Sequence, residues 1–418
     1  MTLNIAMLSY HTCPLEALGG KDTGGMNVYV RELTRTLGAM GVHVDVFTRS
    51  QNEHVPHIVH DLGHDNHVVH VPAGPEEPRS KSELARYLPQ FVAGIQRFAA
   101  ENNLHYDVIH SHYWLSGLAA EGLAAAWGGT PIVHMFHTLG EMKNRIARND
   151  GEREPLERLR AEHHLVRRVE RIIAATPAEE AQLRFLYRAP RERIRVISPG
   201  VDIAHFYPIP KAEAKLYLGF PPEERILLFV GRIEPLKGLD TLIRAVSCLS
   251  QRHHLGKFCL IIIGGDPEQD AQNVNSEIHR LQRLCDELCL GNLVIFIGKR
   301  GQHILPYYYS AAEVVIVPSH YESFGMVALE AMACGTPVIA SQVGGLAFLV
   351  RDGETGYHVP DGDVQALCER MHFLLTHRDV HERIGLQAAA YARAYDWKNI
   401  AEQILEVYRE VLQEKERR

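Results

Sequence analysis

The chain has little cysteine: seven residues in 418, namely Cys13, Cys248, Cys259, Cys285, Cys289, Cys334 and Cys368, with no CxxC pair. That excludes a disulfide framework and a cysteine zinc ribbon, and suits a reducing, cytoplasmic setting. Cys285 and Cys289 stand four apart on an expected helix and read as two core thiols ahead of a metal pair. No apolar run approaches the ~20 residues needed to cross a bilayer. The opening MTLNIAMLSY reads as a strand, not a signal peptide, so neither secretion nor a membrane span is expected. Charge of one sign is also lacking. Lys plus Arg is 44 and Asp plus Glu is 51, a net charge of −7, which leaves no electrostatic footprint for a nucleic-acid partner. The 25 histidines, neutral at pH 7, do not change that balance. There is no GxGxxG, no HExxH, no short-period repeat and no low-complexity tract.

What is present is a recurring short apolar run. The first set is NIAMLSY (4–10), VDVFTR (44–49), HVVHVPA (67–73), YDVIHSH (106–112), PIVHMFH (131–137), RIIAATP (171–177) and IRVISPG (194–200). The second is RILLFVGR (225–232), FCLIIIGG (258–265), LVIFIGK (293–299), EVVIVPS (313–319) and TPVIAS (336–341). Continuous Val/Ile/Leu runs, separated by helical patterns, are the mark of strands buried on both faces of a parallel sheet. The fold class is therefore α/β. At ~150 residues per domain the length allows two or three domains. A proline-rich stretch with one short helix (199–224) interrupts the pattern, which restarts at RILLFVG. Two doubly wound, Rossmann-like domains are expected, 1–200 and 201–396. A terminal helix over 397–418, with Ile400, Ile404, Leu405, Val407, Tyr408, Val411 and Leu412 at helical spacing, is expected to pack back on the first.

Ligands of open parallel sheets bind beyond the carboxyl ends of the strands, so a cleft between two such domains would be lined by strand ends. After the first strand comes a loop with Gly19, Gly20, Gly24 and Gly25, and then a helix opening near Met26 and Asn27. Glycines permit close backbone approach, and a helix N-terminus offers N–H groups to an anion. Later strand ends carry His110, His112 and Tyr113, then His134, His137, Thr138 and Lys143. His110 and His112 are read as facing opposite sides of their strand, which argues against a metal pair. In the second domain Arg232 and Lys237 share one strand-to-helix loop, a pairing suited to a diphosphate. SHYESFGMVALEAMACGTPVIAS (319–341) places Glu322 after a strand and Gly325 where backbone must approach a ligand. The N–H groups of Phe324, Gly325 and Met326 open a helix there. Glu330 lies inside that apolar helix, where a carboxylate is costly without partners; sugar hydroxyls would satisfy it.

These residues resemble a family. E-x7-E at Glu322 and Glu330, with SFG between and EAMACGTPVIAS after, is similar to the retaining GT-B glycosyltransferases of the sucrose synthase and glycogen synthase clan. GRIEPLKG, GGMNVYV and SPGVD follow the same pattern, so the likeness covers the whole chain. Two branches are nearest. HTLGEMK is similar to sucrose-phosphate synthases, which use UDP-glucose and fructose 6-phosphate. HTCPLEALGGKDTGGMNVYV and HSHYWLSG are similar to the inositol-phosphate N-acetylglucosaminyltransferases of mycothiol synthesis. The fructose 6-phosphate branch is favoured, mainly on Gly140 after HTL, with the inositol-phosphate branch and sucrose synthase as alternatives. Control through added regulatory regions, as in the plant-type synthases, is not expected.

The resemblance implies roles. Arg232 and Lys237 would hold the diphosphate of a UDP-sugar, Glu330 its ribose, and the backbone at Lys299 and Arg300 its uracil. Glu322, the Phe324–Met326 backbone, Gly24, Gly25 and His137 would meet the donor hexose and diphosphate. Asn27, Lys81, Tyr113, Thr138, Lys143 and Arg158 would bind the phosphorylated acceptor. The acceptor hydroxyl would attack on the face the UDP leaves, with a leaving-phosphate oxygen as base and Glu322 not a nucleophile. No metal and no cofactor beyond the co-substrate are implied, and the Asp361–Asp363 DxD matches by letters only. The partners would be small molecules; oligomeric state is not readable. Two other classes fit less well. A non-catalytic sugar-nucleotide sensor would be expected to have lost Arg232, Lys237 or Glu322. A nucleotide-dependent oxidoreductase would need the glycine fingerprint and the acidic ribose ligand.

Overall fold

The structure, a computed structural model, describes residues 3–16, 23–147, 149–252, 256–265 and 276–417. The chain divides into two compact units. One comprises Met1–Glu16, Gly25–Pro199 and Trp397–Arg418; the other comprises Ala17–Gly24 and Gly200–Asp396.

Among the described residues the first unit holds an eight-stranded sheet. Its strands are β1 (Asn4–Leu8), β2 (His43–Arg49), β3 (Ile58–Val59), β4 (His67–Val71), β5 (Val108–His112), β6 (Ile132–Met135), β7 (Arg171–Ala174) and β8 (Ile194–Val196). They lie in the order β3-β4-β2-β1-β5-β6-β7-β8. Every pairing is parallel except β3 with β4. The two-residue β3 is not expected from sequence: IV, between histidines, is too short to carry a period.

Among its described residues the second unit has six parallel strands. These are β9 (Arg225–Val230), β10 (Phe258–Ile263), β11 (Val294–Gly298), β12 (Val314–Val317), β13 (Val338–Ser341) and β14 (Gly356–Val359), in the order β11-β10-β9-β12-β13-β14. All six residues of β10 are buried, as a strand covered on both faces must be. β14 is likewise absent from the expected set: GYHV opens on Gly and holds a polar His, so no apolar run announces it.

Helices cover both sheets. The helix Leu239–Arg252 turns Leu242, Ile243, Val246 and Leu249 into the core with no exposed surface. Each such side chain contributes ~1.5–3 kcal/mol by leaving water. The helix Trp397–Arg417 buries Trp397, Ile400, Ala401, Ile404, Leu405, Val407, Tyr408 and Val411. Its Trp397 ring meets Tyr29 edge-on at 5.5 Å. Tyr408 Oη lies 2.7 Å from His110 Nδ1, and Arg195 Nη2 donates to Glu410 Oε2 at 2.8 Å. Apolar stripe and charge pairs thus hold this last segment to the first sheet.

In each sheet the strand order reverses beside the first strand: β1 lies between β2 and β5, and β9 between β10 and β12. Chains leave those neighbours toward opposite faces, which opens a crevice at their carboxyl ends. Functional side chains are therefore to be sought after β1, β5, β9 and β12.

Seven free cysteines lie among the described residues. Cys285 is a buried thiol in the helix Glu277–Glu287. Cys289 corrects the sequence reading: it is exposed, and stands past the helix end at φ +55°. No described helix is long and apolar enough to cross a membrane.

Candidate active site

In the first unit the loop after β1 is tied down from several sides. Ser9 Oγ donates to the Thr12 carbonyl at 2.7 Å, and the Tyr10 N–H donates to Ser116 Oγ at 3.0 Å. Asn27, expected to meet the acceptor, is fully buried. Its amide donates to Thr12 Oγ1 at 2.7 Å and to the Cys13 carbonyl at 2.8 Å, so it fastens this loop to the helix Gly25–Ala39, which Gly25 opens. Gly19 and Gly20 lie outside the described residues.

Tyr113 follows β5 directly, as the first residue of the helix Tyr113–Ala126. Its φ is +74°, and that of His137, just past β6, is +61°. Left-handed backbone at a non-glycine residue costs about 1–3 kcal/mol, and persists where the surroundings over-determine it. Around Tyr113 they do. Its ring packs against His11 at a centroid distance of 4.5 Å. Lys81 Nζ lies over the ring at 5.4 Å and the Arg158 guanidinium at 4.8 Å, and Arg158 Nη1 donates to its hydroxyl at 3.1 Å.

Arg158 is the hub. It is 1% exposed, on the helix Leu156–Arg168. Its Nη2 donates to the Thr138 carbonyl at 2.7 Å and to Thr138 Oγ1 at 3.0 Å. Its Nε donates to Glu162 Oε1 at 2.7 Å, and Nη1 lies 3.0 Å from Glu154 Oε2. Burial pulls against the charge on Arg158, but Tyr113, Glu162 and Glu154 outweigh it and hold the guanidinium protonated. Lys143, on the helix Gly140–Ile146, pairs with the other oxygen of Glu154. Burial raises the Glu154 pKa, yet Arg158 and Lys143 bring it below the ordinary carboxylate value. Glu162 also accepts from the Gly140 N–H at 2.9 Å and the Tyr187 hydroxyl at 2.5 Å. So Lys81, Tyr113, Thr138, Lys143 and Arg158, from separate segments, come together in one basic cluster. Glu154, Glu162 and His11 complete it. No sequence pattern singles those three out, because their roles depend on chain segments far away.

His137 sits in a second group. Its Nε2 is 2.9 Å from His112 Nδ1, and Tyr29 meets both rings edge-on at 5.3 and 5.5 Å. His110 and His112 correct the sequence reading. Residues two apart on a strand share a face, and these rings lie with centroids 4.4 Å apart. Burial pushes His110, His134 and His137 down to about 3, so this group is neutral at pH 7.

In the second unit glycines stand at three strand ends with their backbones packed close together. Gly231, Gly264 and Gly298 end β9, β10 and β11, and the Gly264 N–H donates to the Gly298 carbonyl at 3.1 Å. A Cβ on Gly264 would stand 1.8 Å from the Gly231 carbonyl, so only glycine fits. Lys299 and Arg300 follow the last of them, and Arg300 Nη1 donates to the Lys299 carbonyl at 2.8 Å. They sit two strands from the loop of Arg232 and Lys237. In that loop Arg232 Nη1 pairs with Glu234 at 2.9 Å, and a Cβ on Gly24 would lie 3.9 Å from Arg232 Nε. Lys237 ends the short helix Pro235–Lys237, and its Nζ donates to Glu322 Oε2 at 2.5 Å. The loops after β9 and β12 are joined again by the His320 N–H, which donates to the Leu236 carbonyl at 2.9 Å.

Gly325 is the N-cap of the helix Met326–Ala333, with φ +104°. A side chain there would meet Leu346 at 2.5 Å. Phe324 is buried before it, and the Met326 side chain is half-buried. Glu330, one turn further, is 7% exposed, and accepts from the Tyr309 hydroxyl at 2.7 Å. Burial, then Glu330, pushes the Tyr309 pKa far up, so its proton stays. Nothing in the sequence around Tyr309 marks it for this role. Lys237 and Glu322 are thus brought into contact beside Phe324, Gly325 and Met326. Among the described residues one group has metal-ligand spacing: His43, Asp45 and His67, at the amino ends of β2 and β4.

Known proteins match both halves of the chain. The family described as glycosyl transferases group 1 matches residues 211–391, and glycosyltransferase family 4 matches residues 23–205. A D-inositol 3-phosphate glycosyltransferase of Saccharomonospora viridis is 38% identical, over 98% of this chain and 94% of its own. One of Acidothermus cellulolyticus is 41% identical, over 98% of this chain and 91% of its own. Among solved structures, the sucrose-phosphate synthase of Thermosynechococcus elongatus superimposes with a TM-score of 0.89 at 35% identity, covering 98% of this chain and 99% of that one.

Proposed function

The chain belongs to the group 1 glycosyltransferases, enzymes that transfer a sugar from a nucleotide sugar, and we propose that it moves a hexosyl group from a UDP-sugar to a small phosphorylated polyhydroxy acceptor. The observation that carries this reading is the cluster of Lys81, Tyr113, Thr138, Lys143 and Arg158. Three cations and two hydroxyls, drawn together and partly desolvated, suit a phosphate monoester far better than a neutral sugar. Glu154 shares its carboxylate between Lys143 and Arg158. An acceptor phosphate would take over part of that charge.

In the second unit, Arg232 and Lys237 supply positive charge for the leaving diphosphate, and the N–H groups at Phe324, Gly325 and Met326 add a helix N-terminus. Charge that develops on the departing UDP is stabilised by groups already in place, and in reactions of this kind such preorganisation lowers the barrier more than any other single effect. Glu330, held by Tyr309, presents a carboxylate to the ribose hydroxyls. Glu322, fixed by Lys237, does the same for the hexose. His137, kept neutral by burial, is a hydrogen-bonding group near the transferred sugar, not a cation.

For the acceptor, an inositol phosphate stands ahead of fructose 6-phosphate, reversing the order the sequence motifs favour. Relatives at 38–41% identity along almost the whole chain carry the inositol phosphate name. Fructose 6-phosphate is the second reading, supported by the 35% identical structural match. One panel decides. UDP-glucose, ADP-glucose and UDP-N-acetylglucosamine are crossed with inositol 1- and 3-phosphate, fructose 6-phosphate, inositol and fructose, and nucleotide release is measured. Turnover is expected with UDP donors and phosphorylated acceptors only. Equal turnover with fructose or inositol would refute the phosphate reading.

A further inference from the structure

Away from the strand ends that carry substrates, the opposite edge of the first sheet holds a compact set of metal-ligating side chains. His43 opens β2, Asp45 follows two residues later on the same face, and His67 opens β4, paired in register with Asp45. The Asp45 side chain has no exposed surface. Its Oδ2 lies 3.0 Å from His43 Nε2, and its Oδ1 lies 2.8 Å from His67 Nδ1. The Tyr106 hydroxyl donates to Oδ2 at 2.7 Å. One nitrogen of each imidazole and one carboxylate oxygen all lie within 4.8 Å of one another.

We propose that His43, Asp45 and His67 form a binding site for one divalent transition-metal ion of the zinc class. A tetrahedral zinc with bonds of about 2.0–2.1 Å sets its ligand atoms about 3.3 Å apart. Each imidazole nitrogen lies against a different oxygen of Asp45, at 3.0 and 2.8 Å, a few tenths of an ångström inside that spacing, so the rings must turn outward and the carboxylate must present one oxygen, or both, to the ion. Both rings remain about one-fifth exposed, at 21% and 22%, so an ion can reach them from solvent. Two imidazoles with one carboxylate suit zinc, and also nickel or copper, over magnesium or calcium, which prefer all-oxygen sites. The Tyr106 hydroxyl on Asp45 is the kind of outer hydrogen bond that orients a ligating carboxylate.

The sequence supplies an independent indication. His54, His57, His60, His64, His67 and His70 fall within residues 54–70, a density of histidine that ordinary segments lack and that metal-binding tracts show. The His60 ring stands edge-on to His67 at a centroid distance of 4.5 Å, and offers a further imidazole. Because the ion would join β2, β4 and the Tyr106 segment at their amino ends, its effect is on the stability of this edge of the sheet, not on transfer.

The test uses the full chain without an affinity tag, stripped with chelator and titrated with zinc by calorimetry and with cobalt by visible absorption. One ion per chain at micromolar or tighter affinity is expected. Intense cobalt bands of tetrahedral type and a zinc-dependent rise of several degrees in the melting temperature should accompany it. The variant His43→Gln/His67→Gln keeps Asp45 hydrogen-bonded through its amides, and should lose the bands and the zinc-dependent rise. A second variant, His54→Gln/His57→Gln/His64→Gln, should keep both. No stoichiometric binding to the parent chain overturns the proposal. So does binding that survives in the first variant, or binding lost only in the second.

Discussion

Replacing Arg158 with alanine tests the architecture of the basic cluster and its role together. The side chain is 1% exposed and neutralises Glu162, which is fully buried, and Glu154. Its removal leaves Glu162 with the Gly140 N–H and the Tyr187 hydroxyl but no cation. Breaking a buried ion pair from one side costs about 3–5 kcal/mol. For a unit of this size that lowers the melting temperature by roughly 6–20 °C. The double variant Arg158→Met/Glu162→Gln removes both charges and should recover most of the loss, because the penalty comes from the orphaned carboxylate. Urea unfolding of the parent and both variants near neutral pH measures the loss and the recovery. In parallel, Arg158→Ala should raise the KM for the phosphorylated acceptor by at least tenfold and leave the donor KM nearly unchanged. If Arg158→Ala unfolds within ~1 kcal/mol of the parent, the buried pair does not hold the cluster together. If only the donor KM moves, the acceptor role is refuted.

Four further outcomes are expected. Lys237→Ala should lower kcat by about 10²–10³, the scale of losing one preorganised charge at a leaving group, while the chain stays folded with only a small fall in melting temperature from the lost pair with Glu322; near-normal kcat would end its diphosphate role. Glu330→Gln keeps an acceptor for Tyr309 and should fold, but weaken UDP binding by about tenfold; calorimetry giving parental affinity would refute the ribose assignment. Glu154→Gln should lower the acceptor KM several-fold, since Lys143 and Arg158 lose a competing anion, and a raised KM would show the carboxylate to be needed. The last concerns pH. His110, His134 and His137, held near 3 by burial, take up protons on unfolding between ~6.5 and 3. Their contribution to stability is complete above pH ~6.5 and is lost as pH falls toward ~3. Glu179 acts oppositely. Burial raises it to about 7, so it costs up to about 3 kcal/mol as pH rises from ~4.5 to 7. Acid unfolding with a midpoint above pH 4 is expected, and Glu179→Gln should stabilise at pH 8 but not at pH 5. Full stability of the parent at pH 4 would contradict the histidine assignment.

Much of the fold is legible because long apolar runs have few ways to be buried. Each of the twelve runs expected as strands is one, and the stretch at 199–224 does hold a single short helix, Lys211–Leu218. The two strands not expected, β3 and β14, are short or begin on glycine, and owe their existence to a neighbouring strand. Cys289 reads as helical, but its helix ends two residues earlier. His110 and His112 read as facing opposite sides of β5, yet a strand period of two puts both rings on one side, where they pack together.

The site divides the same way. SFG with its two glutamates, the Arg232–Lys237 loop and the polar residues after β5 and β6 are readable, because the residue types at strand ends state their chemistry locally. That Lys81, Tyr113, Thr138, Lys143 and Arg158 converge comes from resemblance, and the structure supplies the contacts. The partners of the key groups are not readable at all: Glu154 and Glu162 for Arg158, Tyr309 for Glu330, Asp45 for His43 and His67. Sequence by itself determined which segments become strands and which chemistry their ends carry, since burial and backbone conformation are decided within a few residues. Only the tertiary structure decided which charge neutralises which. A buried ion finds its partner through strand order and helix packing, and neither leaves a mark at the residue itself.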